Sequence, residues 1–231
     1  MQLSEFLTSL SVGVLQNLAV GGDGTGEIPA KYKSRVVNTI NQGLVALYSR
    51  FNILEKEVIV RAYDNQTIYP LKRIYADTNT TVVPQKFIAD TVTSPFEEDV
   101  IKIMEVYDEA GCQLLLNDPA EECILFTPSL TTLQITKPVT GNSYFLIYQA
   151  FHPKLSMVPT QEIMLPLVLQ EALEFYVAYK ILSGMNGQEH AAKAAEHFAN
   201  YERICLEARE TDSIGISMSS LTGKLEERGF V

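Results

Sequence analysis

Histidine is the side chain best placed to move protons near neutral pH, and this chain carries three, His152, His190 and His197. His190 and His197 stand seven residues apart, on one face of a helix, whereas metal-binding pairs on a helix sit four apart. No cysteine or carboxylate joins them at ligand spacing, so half-buried structural roles fit them better than ligation. His152 precedes Pro153, and no Gly-x-Ser-x-Gly nucleophile motif occurs anywhere in the chain. Carboxylates gather at Glu97-Glu98-Asp99, Asp108-Glu109 and Glu121-Glu122. Paired acids can serve glycosidic or phosphoryl chemistry, but each of these clusters falls at a strand start or turn, where solvated acids are common. Val20–Gly26 contains four glycines and reads as a flexible loop. It lacks both the preceding strand and the following Lys-Ser/Thr pair of a phosphate-binding turn. Cys112, Cys123 and Cys205 are odd in number and at no metal-ligand spacing, which fits reduced, buried thiols. The expectation is a chain with no catalytic residue, no cofactor and no metal.

The elements that would position these groups are clearer than the groups themselves. Residues 166–209 read as two amphipathic helices joined by Ser183-Gly184-Met185-Asn186-Gly187, with Pro166 in the first turn. The first helix has an apolar stripe of Leu165, Val168, Leu169, Ala172, Phe175, Tyr176 and Tyr179; the second has Ala194, His197, Phe198, Tyr201, Ile204, Cys205 and Ala208. So short a joint forces an antiparallel pair. Ile28–Asn52, opened by Pro29, is the longest helix, with Tyr32, Val36, Ile40, Leu44, Leu47 and Phe51 on its apolar face. Residues 3–18 fit one or two short helical pieces with Ser4 and Ser11 as caps.

Between the long helix and the hairpin the period changes from helical to alternating. Glu57–Tyr63, Thr67–Ile74, Val100–Tyr107, Cys112–Leu116, Thr131–Ile135 and Asn142–Ala150 read as about six short strands. Asp77–Val83 reads as a loop, and Phe87–Val92 fits either a strand or a short helix. The fold class expected is α+β. N-terminal helices and a C-terminal antiparallel helical hairpin form a bundle with an inserted β-rich domain and an extended C-terminal arm. The boundaries are 1–54 and 160–209 for the helical frame, 55–159 for the insertion and 210–231 for the arm. The arm has scattered apolar residues, Ile214, Ile216, Met218, Leu221, Leu225 and Phe230, too few to hold a core. It either frays or orders against another molecule, and the second is the expectation taken here.

Composition narrows the classes. The 231 residues are 46% hydrophobic and 20% charged, ordinary for a globular chain. No apolar run approaches the roughly 20 residues of a membrane helix, so no membrane partner is expected. Met1-Gln2-Leu3-Ser4-Glu5 lacks the basic start of a secretion signal, which points to synthesis in a cytoplasm. A net charge of −10 argues against a nucleic-acid reader. It does not exclude a protein that lets DNA slide past without holding it, because a surface of the same sign as phosphate leaves the duplex mobile.

A resemblance runs through the middle of the chain. It starts at Ser94-Pro95-Phe96-Glu97-Glu98-Asp99-Val100-Ile101-Lys102-Ile103 and passes through Val106-Tyr107-Asp108-Glu109-Ala110-Gly111 to Leu116-Asn117-Asp118. It continues in Phe126-Thr127-Pro128-Ser129, Thr132-Leu133-Gln134-Ile135 and Tyr148-Gln149-Ala150-Phe151-His152, and closes on Leu165-Pro166 and Glu171-Ala172-Leu173. With Leu3-Ser4-Glu5-Phe6-Leu7 and Ser11…Asn17-Leu18, this resembles the head-to-tail adaptor (head-completion, or connector) proteins of tailed bacteriophages. Val14 departs from the pattern, standing where a capping Glu would complete a capping box after Ser11.

The resemblance implies a virion protein made in the bacterial host cytoplasm, without chemistry of its own, placed at the head–tail interface. It implies a ring of identical subunits, a dodecamer, beneath the portal protein. Tail or nozzle proteins would bind its other side, and double-stranded DNA would pass through without specific binding during ejection. The arm residues Ile214, Ile216, Met218, Leu221, Leu225 and Phe230 then become candidates for docking to the portal or to a neighbouring subunit. The alternatives are another phage neck or tail-terminator ring protein, a non-viral enzyme or regulator with an unrecognised site, and a helical adaptor of a cellular complex.

Overall fold

The computed structural model describes residues 1–83, 85–118 and 125–211. The fold is mixed α+β, with four α-helices and two antiparallel sheets. The chain divides into two compact units, one of Met1–Ile53 with the described part of the chain from His152, the other of Leu54–Phe151.

The first unit holds α1 (Leu3–Val12), α2 (Ala30–Arg50), α3 (Leu167–Ser183) and α4 (Gln188–Glu210). Pro29 and Pro166 each stand immediately before a helix, where a missing N–H leaves no intrahelical bond unmade. In α2, Val36, Val37, Ile40, Leu44 and Leu47 are buried at three- and four-residue steps. Gly43 lets α3 come close: a Cβ there would stand 2.5 Å from Leu173 Cδ1 and 2.9 Å from Tyr176 Cδ1. Gly184 similarly meets Arg35, so α2 and α3 run antiparallel. Between α3 and α4, Tyr176 packs on Tyr201 and Tyr179 on Phe198, the pairing of an antiparallel hairpin. Arg50 at the end of α2 reaches both carboxylate oxygens of Glu202 on α4, each at 2.9 Å.

Two helical expectations are corrected. The buried face of α3 is Leu169, Ala172, Leu173, Val177, Ala178, Ile181 and Leu182; Phe175, Tyr176 and Tyr179 are half-buried, and Val168 is exposed. Because α3 packs on both α2 and α4, its apolar residues spread over more than one stripe, and the periodic signal blurs. Phe198 in the expected α4 stripe is likewise exposed. At the N-terminus, α1 is a single helix entered from Gln2, whose N–H donates to Glu5 Oε2 at 2.9 Å. Ser4 and Ser11 are not caps but lie within it. Ser11 is buried, donates to the Gly21 carbonyl at 2.5 Å and accepts from the Gly26 N–H at 3.1 Å. The glycine-rich loop is therefore tied to α1 at two points and contains a 3₁₀ turn, Ala19–Gly21.

The second unit is built from β1 (Glu55–Arg61), β2 (Ile68–Pro70), β3 (Ile88–Ala89), β4 (Val100–Tyr107), β5 (Gln113–Leu114), β6 (Leu125–Ser129), β7 (Thr132–Ile135) and β8 (Ser143–Ala150). One sheet runs β3-β1-β8-β4-β5, the other β2-β7-β6. Central β8 is apolar on its buried face through Tyr144, Leu146 and Tyr148, and the unit's core gathers Val60, Tyr69, Phe87, Val106, Leu133 and Leu146. Two details depart from expectation, and one open reading resolves as a strand. The strand expected over Thr67–Ile74 ends at Pro70, and Arg73–Tyr75 is a 3₁₀ turn. The undecided Phe87–Val92 supplies the two-residue β3. β6, not expected at all, contains Pro128, and it survives because both it and β2 are edge strands, where a missing N–H breaks no ladder.

Candidate functional site

The groups that could carry chemistry are distributed over both units, and most are engaged in holding backbone. His152 is buried; its Nδ1 meets the Pro153 carbonyl at 2.5 Å, and its Nε2 accepts from the Met164 N–H at 3.0 Å. That pairing fixes the neutral tautomer with the proton on Nδ1, and burial holds the imidazole below its ordinary pKa. Burial also lowers His197, whose ring packs against Phe175. The Nδ1 atoms of His190 and His197 are buried without a hydrogen-bond partner among the described residues.

The acid clusters separate in the same way. Glu97 and Asp99 hold Lys56 Nζ at 2.9 and 2.7 Å, and Tyr148 donates its hydroxyl to Asp99 at 3.1 Å. Glu98 accepts from the Arg73 N–H at 2.8 Å. Asp108 closes its turn by accepting from the Ala110 and Cys112 N–H groups at 2.9 and 2.8 Å, while Glu109 accepts from the Ser143 N–H at 2.7 Å. Cys112 is exposed, against the expectation of a buried thiol, because it sits on the returning arm of that turn; Cys205 is buried. Cys123 and Glu121-Glu122 lie outside the described residues, as do the arm candidates Ile214, Ile216, Met218, Leu221, Leu225 and Phe230. Among the described residues no group of three or more His, Cys, Asp or Glu side chains is arranged to hold a metal ion. No helix among them is long and apolar enough to cross a membrane.

What remains is an apolar stretch in the first unit, 157–168, that is held firmly and left uncovered. The chain from His152 to Pro166 has no regular ladder to satisfy its backbone, so side chains do it. Asn41 on α2 clamps Leu155 from both sides, donating to its carbonyl at 3.0 Å and accepting from its N–H at 2.8 Å. The Gln161 carboxamide accepts from the Ser156 N–H at 2.7 Å and donates to the Lys154 carbonyl at 3.1 Å. Leu3 and Ser4 at the start of α1 donate to the carbonyls of Gln161 and Pro159. Tyr48 donates its hydroxyl to the Met164 carbonyl while His152 takes the Met164 N–H, so that peptide is gripped at both ends. Burial pushes the Tyr48 phenol up to about 12, which keeps it a donor across the physiological range.

This staple sets the direction of the side chains. Ile163 and Leu165 are buried and Met164 between them is turned outward, an extended alternation. Leu167 and Val168 then occupy the first turn of α3 on the side away from buried Leu169. Met157 is 58% exposed, Val158 52%, Met164 39%, Leu167 80% and Val168 48%. Such residues scattered singly mean little, but five within one stapled stretch make a surface suited to contact. The pattern is partly visible in the sequence: Leu167-Val168-Leu169 places three apolar residues in a row at a helix start, more than one buried face can accept. Models of known protein families give no match to this chain, and no curated protein resembles it closely enough to be matched.

Proposed function

We propose that this chain is a head-to-tail adaptor of a tailed bacteriophage, a structural virion protein that forms a ring between portal and tail and lines the DNA exit channel. The reading takes the fold in its finer form: a helical bundle expected over 1–54 and 160–209, an inserted β-rich domain expected over 55–159, of which the residues from His152 onward group with the helices instead, and an extended arm of 210–231. It makes the protein a dodecamer, with the portal protein on one side, tail or nozzle proteins on the other, and double-stranded DNA passing without specific binding. It assigns no enzyme activity and no cofactor.

The observation that carries this reading is the stretch 157–168, whose backbone is stapled in place while Met157, Val158, Met164, Leu167 and Val168 stay 39–80% exposed. In a closed ring each subunit offers two different patches, one to each neighbour, and this stretch is one of them. The sequence resemblance, the mixed α+β fold and the net charge of −10 support the same reading. Native mass measurement and electron micrographs of the purified protein, alone and mixed with a portal protein, test it. The expected result is a ring of uniform size that stacks on the portal. A monodisperse monomer that stays monomeric beside the portal would overturn the proposal, as would turnover of a small molecule.

A further inference from the structure

The larger sheet has one edge that is only half covered. β8 pairs with β1 along its whole length, from Glu55↔Gln149 to Arg61↔Ser143. Ala150 donates to the Leu54 carbonyl at 2.9 Å and Ala62 to the Asn142 carbonyl at 2.8 Å. In an antiparallel ladder this phase turns the peptide groups of even-numbered β1 residues toward β8 and those of odd-numbered residues toward the opposite edge. Arg61 on that opposite edge donates to the Phe87 carbonyl at 2.8 Å, as the phase requires. β3 covers the edge only at Ile59↔Ala89 and Val60↔Ile88. Beyond Ala89 the chain turns away: Thr91 and Ser94 bond each other's backbone at 3.3 and 3.1 Å, and the Phe96 N–H goes to Asp90 at 3.0 Å. The peptide groups of Glu57 therefore face a gap in which no described strand pairs.

The gap is a groove of about 750 Å³, lined on one side by Glu55–Ile59 and on the other by residues between Ala89 and Glu97, with Tyr148 between. An open strand edge is a template for another strand, and a groove along it admits an extended segment. Charge identifies the kind of segment. The lining carries the carboxylates of Glu55, Glu57, Asp90 and Glu97 against the single ammonium of Lys56; Asp90 is taken up by Thr78 and the Phe96 N–H and Glu97 pairs with Lys56, so the charge a ligand meets centres on exposed Glu57. The pleat identifies its pattern. Glu57 shares a face with Glu55 and Ile59, whereas Val58 points into the core. A residue paired with Glu57 lies on the acidic face, and the residues flanking it lie over Val58. We infer that this groove binds an extended segment of a partner protein, basic at alternate positions with small apolar residues between, by adding it as a strand to the free edge of β1. The inference does not rest on the adaptor reading.

A labelled heptapeptide of alternating lysine and valine, titrated with the full chain and followed by fluorescence anisotropy, tests it. The peptide binds the wild type; Glu57→Lys weakens binding about tenfold or more, and the glutamate–valine counterpart does not bind. Two N-methylated versions separate strand addition from charge alone. Methyl groups on the nitrogens that face β1 abolish binding, and methyl groups on the alternate nitrogens leave it unchanged. Equal binding of both methylated peptides, binding of the acidic peptide, or no binding of the basic one would each overturn the inference. So would a change of oligomeric state in Glu57→Lys without peptide, which would give the edge to a second copy. Thermal unfolding of Glu57→Lys matching the wild type shows that a loss of binding is not a loss of fold.

Discussion

Replacing Leu167 and Val168 together with glutamate separates assembly from folding. Leu167 is 80% exposed and Val168 48%, so most of their burial energy is unspent in the isolated chain. Full burial of such a side chain is worth about 1.5–3 kcal/mol. Scaled by the exposed fractions, the pair can contribute about 2–4 kcal/mol to each contact that covers it, or roughly a thirty- to thousandfold change in the association constant. The helix itself should not suffer. The first turn of α3 carries no acidic residue, and a carboxylate near a helix N-terminus is stabilising by about 0.3–1 kcal/mol. Sedimentation or native mass spectrometry across a concentration series reads the assembly, and thermal melting reads the fold. The ring is expected to need at least about thirtyfold more protein to form, with the melting temperature unchanged. The control puts the same two charges in the exposed helix joint, Ser183→Glu with Asn186→Glu, and should assemble as the wild type does. If the Leu167/Val168 variant forms rings at the wild-type concentration, the stretch is not a contact surface. A marked drop in melting temperature would show instead that the two residues belong to the core.

Other perturbations probe the staple and the arm. Tyr48→Phe leaves the Met164 carbonyl without its phenol donor, and should cost about 0.5–1.5 kcal/mol in urea unfolding, the net worth of one part-buried hydrogen bond. His152 and His197 both bind protons less readily in the folded chain than in the unfolded one. Their contribution to stability is therefore complete above the ordinary histidine value of about 6.5 and is lost as pH falls below it toward the lowered folded values. Urea midpoints at pH 7.5 should exceed those at about pH 5.5, and His152→Asn should flatten that slope. Removal of residues 212–231 is expected to leave the melting temperature intact and to impair attachment to a portal protein in a pull-down; unfolding of the shortened chain would refute this.

The helices were legible because their physics is local. A proline before α2 and before α3, apolar residues at three- and four-residue steps, and a two-glycine joint ahead of α4 suffice to place the three. The strands with alternation, β4 and β8, were equally plain. What escaped was what depends on partners. Pro128 argues against a strand until β6 is known to lie at a sheet edge. Ser11 resembles a cap until the glycine-rich loop folds back onto its hydroxyl. The candidate surface escaped for a related reason: Met164 and Leu167 are apolar, as core residues are. Only the grip of Tyr48 and His152 on one peptide turns Met164 outward while Ile163 and Leu165 go in.

That grip also bears on how copies would hold together, and salt can decide it. The polar side chains that hold 152–166 are spent on backbone: Asn41 on Leu155, Gln161 on Ser156 and Lys154, and Tyr48 and His152 on Met164. Apart from Thr160 and Glu162, what the stretch offers outward is apolar, so the contact gains its energy chiefly from area rather than from ion pairs. The copies meanwhile each carry a net charge of −10 and repel one another. Raising ionic strength shortens the reach of that repulsion, from about 30 Å at 0.01 M to about 3 Å at 1 M, and leaves the apolar contact intact or strengthened. The fraction of protein in rings, measured by sedimentation at fixed concentration, should therefore rise with added salt. A ring held chiefly by ion pairs between subunits would do the reverse, and dissociation on raising the salt would refute the apolar stretch as the source of the contact.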